Sequence, residues 1–296
     1  ELINCITINK LGIYNCGEVQ NLDGLKNCVN LKEIILEKCE HLQNLDGLIN
    51  CVNLDKITIE SCDQLQNLDG LINCVNLESL ILTKCEHLQN LDGLIKCKNY
   101  SISDFDSEYY SNSMKFKNFK ELKNINGIAN CVNIENLEFI NCTSLENIDA
   151  IRNQKSLKSL TFLKCDKLID ISALINMNFK TFKFLSENSI SLPRGIELMK
   201  INSMNLTMPK ANSIPPILSK CSMDSLELIA WDKLKTLNGL ESMLNLSSLT
   251  LIDCPELNDL SAVYNLKNLS DLYLRTCKIK KSKLPIQLQE ITETNF

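Results

Sequence analysis

Apolar residues fall along this chain with a repeating rhythm. In the segment Asn67 to Cys85, NLDGLINCVNLESLILTKC, the residues Leu77, Leu80, Leu82 and Cys85 spell LxxLxLxxC. Apolar positions two apart with polar residues between them describe a strand that buries one face. The segment then returns. NLDGL begins at Asn21, Asn44, Asn67 and Asn90, 23 residues apart each time, and CVNL starts at Cys28, Cys51 and Cys74. A fixed period of this length predicts a solenoid, in which no unit can bury its own apolar face and each must stack on its neighbours.

The frame recurs as Leu31, Ile34, Leu36, Cys39; as Leu54, Ile57, Ile59, Cys62; as Ile134, Leu137, Phe139, Cys142; as Leu157, Leu160, Phe162, Cys165; as Leu246, Leu249, Leu251, Cys254; and as Leu269, Leu272, Leu274, Cys277. This pattern resembles the leucine-rich repeat family. The resemblance implies an α/β repeat solenoid, a horseshoe with a parallel β-sheet on its concave face and short turns or 3-10 segments on its convex face. The return segment, LxNLDGL or LxDISAL, is similar to the internalin and phosphatase-regulator type of repeat. Cys at the ladder position, where those classes carry Asn, is closer to repeats of plant immune receptors.

A chain of 296 residues accommodates about twelve such units, and a solenoid need not split as it grows. One leucine-rich repeat domain is expected over 1–296. Its first residues, ELINC, match GLINC at Gly47 to Cys51, so the expected start lies inside a repeat, with a cap or further repeats missing upstream. Two stretches break the rhythm. Cys85 to Cys142 spans 57 residues, two periods plus eleven, and the surplus is assigned to an insertion near 109–119, YYSNSMKFKNF. Repeats over 176–222 are irregular: Phe179, Phe182 and Phe184 make one strand, Ile196, Met199 and Ile201 a shorter one, and Pro209, Pro215 and Pro216 belong on the return side because proline cannot donate to a ladder. Trp231 takes a ladder position, where an indole implies local widening or a bend. The charged segment 278–296 reads as a C-terminal cap, with Lys280, Lys281 and Lys283 on a solvated edge.

Of the fifteen cysteines, all but Cys221 follow the period. Cys16, Cys39, Cys62, Cys85, Cys142, Cys165, Cys254 and Cys277 occupy the turn after the strand, and Cys5, Cys28, Cys51, Cys74, Cys97 and Cys131 the return segment. Reduced thiols acting as small buried groups and weak donors are expected, which fits a reducing compartment. With no CxxC pair and two histidines, a metal site is not expected.

Net charge of -5 and a pI near 5.3 give no basic footprint, so nucleic acid is not expected as a partner. No apolar run approaches the roughly 20 residues of a membrane span, so membrane insertion is not expected either. Catalytic chemistry is equally thin. His41 and His87 hold the same repeat position, and the NLDGL glycines recur with the period and are assigned to turn geometry rather than to a phosphate loop. Neither catalysis nor a cofactor is expected.

What remains is the outward side of the strands. Residues between and just after the inward leucines point out, giving a middle column that includes Asp104, Lys183, Lys200 and Tyr273. The adjoining column includes Glu37, Glu60, Asp106, Ile140, Leu163, Leu185, Asn202, Ile229 and Ile252. Glu37, Glu60, Asp104 and Asp106 make an acidic field suited to a basic partner; Ile140, Leu163, Leu185, Ile229 and Ile252 make an aliphatic strip, with Tyr273 beside it. The strip is either a contact surface or cross-strand support on a pleated sheet. In the insertion, Tyr109, Tyr110 and Phe116 are either contact anchors or aromatics tucked over a degenerate repeat. The leading functional expectation is a non-enzymatic, intracellular, cytoplasmic scaffold binding a protein partner through the concave face. The alternatives are a secreted or surface internalin-like adhesin and a structural subunit of a larger assembly.

Overall fold

The computed structural model describes residues 6–98, 101–103, 112–131, 133–187, 192 and 195–295. The chain forms two compact units, Glu1–Leu157 and Lys158–Phe296. Unit 1 contains seven described strands: β1 (Lys10–Tyr14), β2 (Glu33–Glu37), β3 (Lys56–Glu60), β4 (Ser79–Thr83), β5 (Ser101–Ser103), β6 (Ser113–Lys117) and β7 (Asn136–Ile140). β1 to β5 pair in sequence order in one parallel sheet, and β6 pairs with β7. Unit 2 contains β8 (Ser159–Leu163), β9 (Asn178–Leu185), β10 (Lys200–Thr207), β11 (Ser225–Ile229), β12 (Ser248–Ile252), β13 (Asp271–Arg275), the short helix α1 (Ile286–Ile291) and β14 (Thr292–Asn295). These strands are also parallel and paired in sequence order.

The LxxLxL alternation works as expected. Ile34, Leu36, Ile57, Ile59, Leu80 and Leu82 in unit 1, and Leu226, Leu228, Leu249, Leu251, Leu272 and Leu274 in unit 2, are buried while their neighbours face out. Ten of the described strands end on one left-handed residue: Asn15, Lys38, Ser61, Lys84, Asn118, Asn141, Lys164, Ala230, Asp253 and Thr276 have φ between 52° and 65°. That conformation costs a non-glycine residue about 1–2 kcal/mol. It is offset by a ladder bond, because the same residue's N–H donates to the last carbonyl of the next strand, as in Lys38 to Glu60 at 2.9 Å and Lys164 to Leu185 at 2.9 Å.

The next inward residue closes the turn. The Sγ atoms of Cys39, Cys62, Cys142, Cys254 and Cys277 lie 3.5–4.0 Å from the carbonyls of Ile13, Leu36, Phe116, Leu228 and Leu251 on the preceding strand. Trp231 does the same with a stronger donor. Its indole is fully buried, and Nε1 donates to the Leu206 carbonyl at 3.1 Å; the flexible side chain of Met208 lies buried at the turn of the preceding strand.

On the return side, the Asn of NLDGL holds a 3-10 turn: Asn44, Asn67 and Asn90 accept through Oδ1 from the N–H of Asp46, Asp69 and Asp92 at 3.0–3.1 Å. A second set of asparagines ties level to level. Asn30, Asn53 and Asn76 donate to the carbonyls of Ile6, Val29 and Val52. The NLDGL glycines have a reason other than the turn geometry assigned to them. A Cβ on Gly47, Gly70, Gly93 or Gly127 would sit 1.8–1.9 Å from the carbonyl oxygen of the preceding level's Leu22, Leu45, Leu68 or Leu91. Close stacking, not positive φ, demands glycine there. Alanine stands in the corresponding place at Ala150, Ala173 and Ala262, each buried in its 3-10 turn.

Two sequence expectations need correction. Residues 113–119 are not an insertion loop: β6 is a regular strand whose Met114 and Phe116 point inward, with Phe119 at the ladder position in place of Cys. The irregular repeat is framed five residues later than expected, because β10 buries Ile201, Met204 and Leu206, while Ile196 lies in a 3-10 turn and Met199 at its end. The segment 278–296 contains a 3-10 turn at Lys281–Lys283, then α1 and β14, and β14 continues the sheet of unit 2 beside β13.

Candidate functional site

The outward columns carry the candidate residues, and each unit presents its own. In unit 1 the middle column runs Gly12, Ile35, Thr58 and Ile81, paired rung by rung. The ring of Tyr14 folds over Gly12, within 2.3–2.7 Å of where a Cβ would stand. On either side stand the charges. Glu33 is 2.6 Å from Lys10, Glu37 3.7 Å from Lys38, and Glu60 3.3 Å from Lys84. The Lys10 ammonium hydrogen-bonded to Glu33 holds that carboxyl below its ordinary range. Glu37 and Glu60 therefore sit in a charge-compensated field, which weakens the attraction for a basic partner that the sequence suggested.

Asp104, Asp106, Tyr109 and Tyr110 lie outside the described residues. Ser103 is the partner of Ile81 in the middle column, because β5 follows β4 after 22 residues instead of 23. Phe116 is overturned as a contact anchor. It is 0 % exposed, stacked on Phe139 at 5.1 Å and edge-on to Phe119 at 6.0 Å. Ile140, half-buried, faces out beside Lys117 of β6.

In unit 2 the outermost column brings Leu163, Leu185, Thr207, Ile229, Ile252 and Arg275 together on consecutive paired strands. Leu163, Leu185 and Ile229 are half-buried, and Ile252 is 9 % exposed. Thr207 interrupts the strip where Asn202 was expected. The middle column reads Thr161, Lys183, Asn205, Glu227, Thr250 and Tyr273, so Asn205 replaces the expected Lys200 and donates through its side-chain amide to Glu227. A third column consists mostly of hydroxyls: Ser159, Thr181, Ser203, Ser225 and Ser248, ending at Asp271. The face is thus banded, with aliphatic, mixed polar and hydroxyl stripes.

Sequence reasoning missed a row on the return side of unit 1. Ile6, Val29, Val52 and Val75 are 54, 43, 42 and 49 % exposed and recur with the repeat. The signal was the V of CVNL, a β-branched apolar residue at a position no core contact requires.

The remaining chemistry is quiet. His41 and His87 are exposed, His41 against the Gly17 carbonyl and His87 against Glu121. Among the described residues no three His, Cys, Asp or Glu side chains converge as a metal site, and no helix is long and apolar enough to cross a membrane. Burial pushes the thiols of Cys51, Cys74 and Cys97 up to about 11, 12 and 11.

Parallel rungs of LxxLxL strands, a ladder residue after each and 3-10 returns define a leucine-rich repeat solenoid with a banded outer face on each sheet. The chain belongs to the BspA-type leucine-rich repeat family, whose model matches residues 3–114 and 95–204 with six copies. Among solved structures, it is similar to an internalin from Listeria monocytogenes, with a TM-score of 0.56 and 17% identity over 92% of this chain and 75% of that one. A leucine-rich repeat protein from Leptospira interrogans matches with a TM-score of 0.36 and 15% identity over 100% of this chain and 97% of that one. No curated protein matches the sequence.

Proposed function

We propose that this chain is a non-enzymatic recognition scaffold that holds a protein partner against the outward sheet face of unit 2, with Leu163, Leu185 and Ile229 as the apolar contacts. The observation that carries this reading is the strip itself. Three large aliphatic side chains stand half-buried in register on a face whose fold duties are already met by Leu160, Phe162, Phe182, Phe184, Leu226 and Leu228 beneath. Lys183, Glu227 and Tyr273 beside the strip supply the polar margin that orients a partner. Neither nucleic acid nor lipid is the partner in this reading, and the columns of free thiols support a reducing compartment as its working place.

The test is affinity capture from native lysate with this chain and with its Leu163→Glu, Leu185→Glu, Ile229→Glu variant, both first checked for folding by circular dichroism. A protein retained by the first and lost by the second supports the reading; equal retention by both overturns it. The valine row favours a second reading, a subunit of a larger assembly whose neighbour covers Ile6, Val29, Val52 and Val75. Under that reading Val52→Lys and Val75→Lys abolish capture while the strip variant leaves it intact.

A further inference from the structure

From β8 to β12, the outward face of unit 2 reads nearly alike in both directions, with β10 at its centre. In the outermost column Leu185 of β9 and Ile229 of β11 flank Thr207, with Leu163 and Ile252 one strand further out. In the middle column Lys183 and Glu227 flank Asn205, and Thr161 and Thr250 stand beyond them. The hydroxyl column behaves likewise, since Thr181 and Ser225 flank Ser203. One residue before that column, Lys180 and Asp224 flank Asn202, whose carbonyl accepts from the Asp224 N–H at 2.9 Å.

Size and polarity therefore match about β10, while charge inverts. Lys180 and Lys183 lie on one side, Asp224 and Glu227 on the other. None of these four forms an ion pair among the described residues, although Lys164 and Glu187 nearby pair at 2.8 Å. Lys180 and Asp224 are exposed, and Lys183 and Glu227 half-buried. Glu227 accepts from the Asn205 amide, which leaves lone pairs for a second donor.

We propose that the occupant of this face is a second copy of the same chain, docked about a two-fold axis that runs parallel to the strands above β10. The inference rests on the reading that unit 2's sheet face holds a protein. Rotation about that axis keeps each column over itself and reverses the strand order, the self-complementary arrangement of a two-fold dimer. Lys183 then faces Glu227 of the second copy, and Lys180 faces Asp224 of the second copy, each contact made twice. Leu163 and Leu185 meet Ile252 and Ile229 in the same way. Packed sheet faces stand about 10 Å apart, a gap that a lysine and a glutamate span together. On a sheet that curves inward the two faces are farthest apart at the axis, and there stand Thr207 and Asn205, which interfacial water satisfies. Lys200, at the start of β10, meets its own counterpart only at the rim, exposed to solvent, where like charges are screened.

Sedimentation velocity of the whole chain over a concentration series tests this. The wild type is expected to dimerise, and more weakly as salt is raised. Lys183→Glu and Glu227→Lys, each first checked for folding by circular dichroism, are each expected to raise the dimer dissociation constant at least about tenfold, because either sets like charges face to face twice. Mixed in equal amounts, the two variants are expected to form a one-to-one dimer, since each supplies the charge the other lacks. If either fails to fold, Lys180→Glu and Asp224→Lys, both at exposed positions, take their place. A wild type that stays monomeric throughout the series, dimers that neither single variant weakens, or a mixture that does not dimerise overturns the second copy as occupant. The face then belongs to a different protein, and the capture experiment with the strip variant decides that reading separately.

Discussion

The two units are built on one plan with different materials. In β1 to β4 of unit 1 the core is leucine, isoleucine and cysteine, the levels are near copies, and glycine is required wherever one return segment stacks on the last. Unit 2 packs phenylalanine, methionine and tryptophan, lengthens β9 and β10 to eight residues each, and carries alanine at Ala173 and Ala262 where the returns after β2, β3 and β4 have Gly47, Gly70 and Gly93. The charges differ as well: unit 1 has 22 acidic and 14 basic residues, unit 2 has 14 acidic and 17 basic. Copying fixes the level spacing, and a fixed spacing leaves no room for a methyl group. Divergent repeats carry more varied side chains, on the outward columns as well as in the core.

The sharpest break in that comparison is a methyl group. Gly70→Ala puts a Cβ 1.9 Å from the Leu45 carbonyl and is expected to destabilise unit 1 by about 3 kcal/mol or more, whereas Ala173→Gly in unit 2 costs about 0.5–1 kcal/mol. Denaturant midpoints of the two variants check this, and equal losses would remove the distinction. Next in size is the ladder donor. Trp231→Phe keeps most of the buried ring but leaves the Leu206 carbonyl unmet, a loss of about 1–3 kcal/mol. Cys62→Ala, which removes only a weak thiol donor, is expected to cost less in the same unfolding measurement.

The smallest effect concerns the aspartate column of unit 1. Burial first, then the neighbouring Asp92 and Asp46, raise the carboxyl of Asp69 above its ordinary range. A raised acid contributes stability below its unfolded value and loses it as pH rises through its folded value. Asp69→Asn is therefore expected to raise the thermal midpoint slightly at pH 7 and to leave it unchanged at about pH 3, where the native Asp is already protonated. A gain of equal size at both pH values would contradict this electrostatic origin.

Much of the fold was legible because a period of 23 residues is hard to mistake, and the Leu and Ile columns gave both the inward face and the parallel register. The misreadings have physical causes. SMKFKNF in β6 matched the frame, with Met114 falling 23 residues before Leu137, but Phe119 in the cysteine's place hid it. Both Ile196, Met199, Ile201 and Ile201, Met204, Leu206 fit LxxLxL; only the second lies one period from Phe182 and Leu226, and spacing outweighs local pattern when levels must stack. The strip at Leu163, Leu185 and Ile229 was visible from alternation alone. The ion pairs that compensate Glu37 and Glu60 were not, because Lys38 and Lys84 reach them from turns whose left-handed geometry the sequence does not announce.

The central claim is that recognition belongs to unit 2's sheet face, and the most direct measurement compares partner capture by three folded proteins. These are the wild type, the Leu163→Glu, Leu185→Glu, Ile229→Glu variant, and a unit 1 counterpart carrying Ile35→Glu and Ile81→Glu, half-buried outward residues of β2 and β4. Loss of the captured protein in the unit 2 variant alone is the predicted result. Its retention there, together with loss in the unit 1 variant, would contradict the account and move the site to the face of β1 to β4.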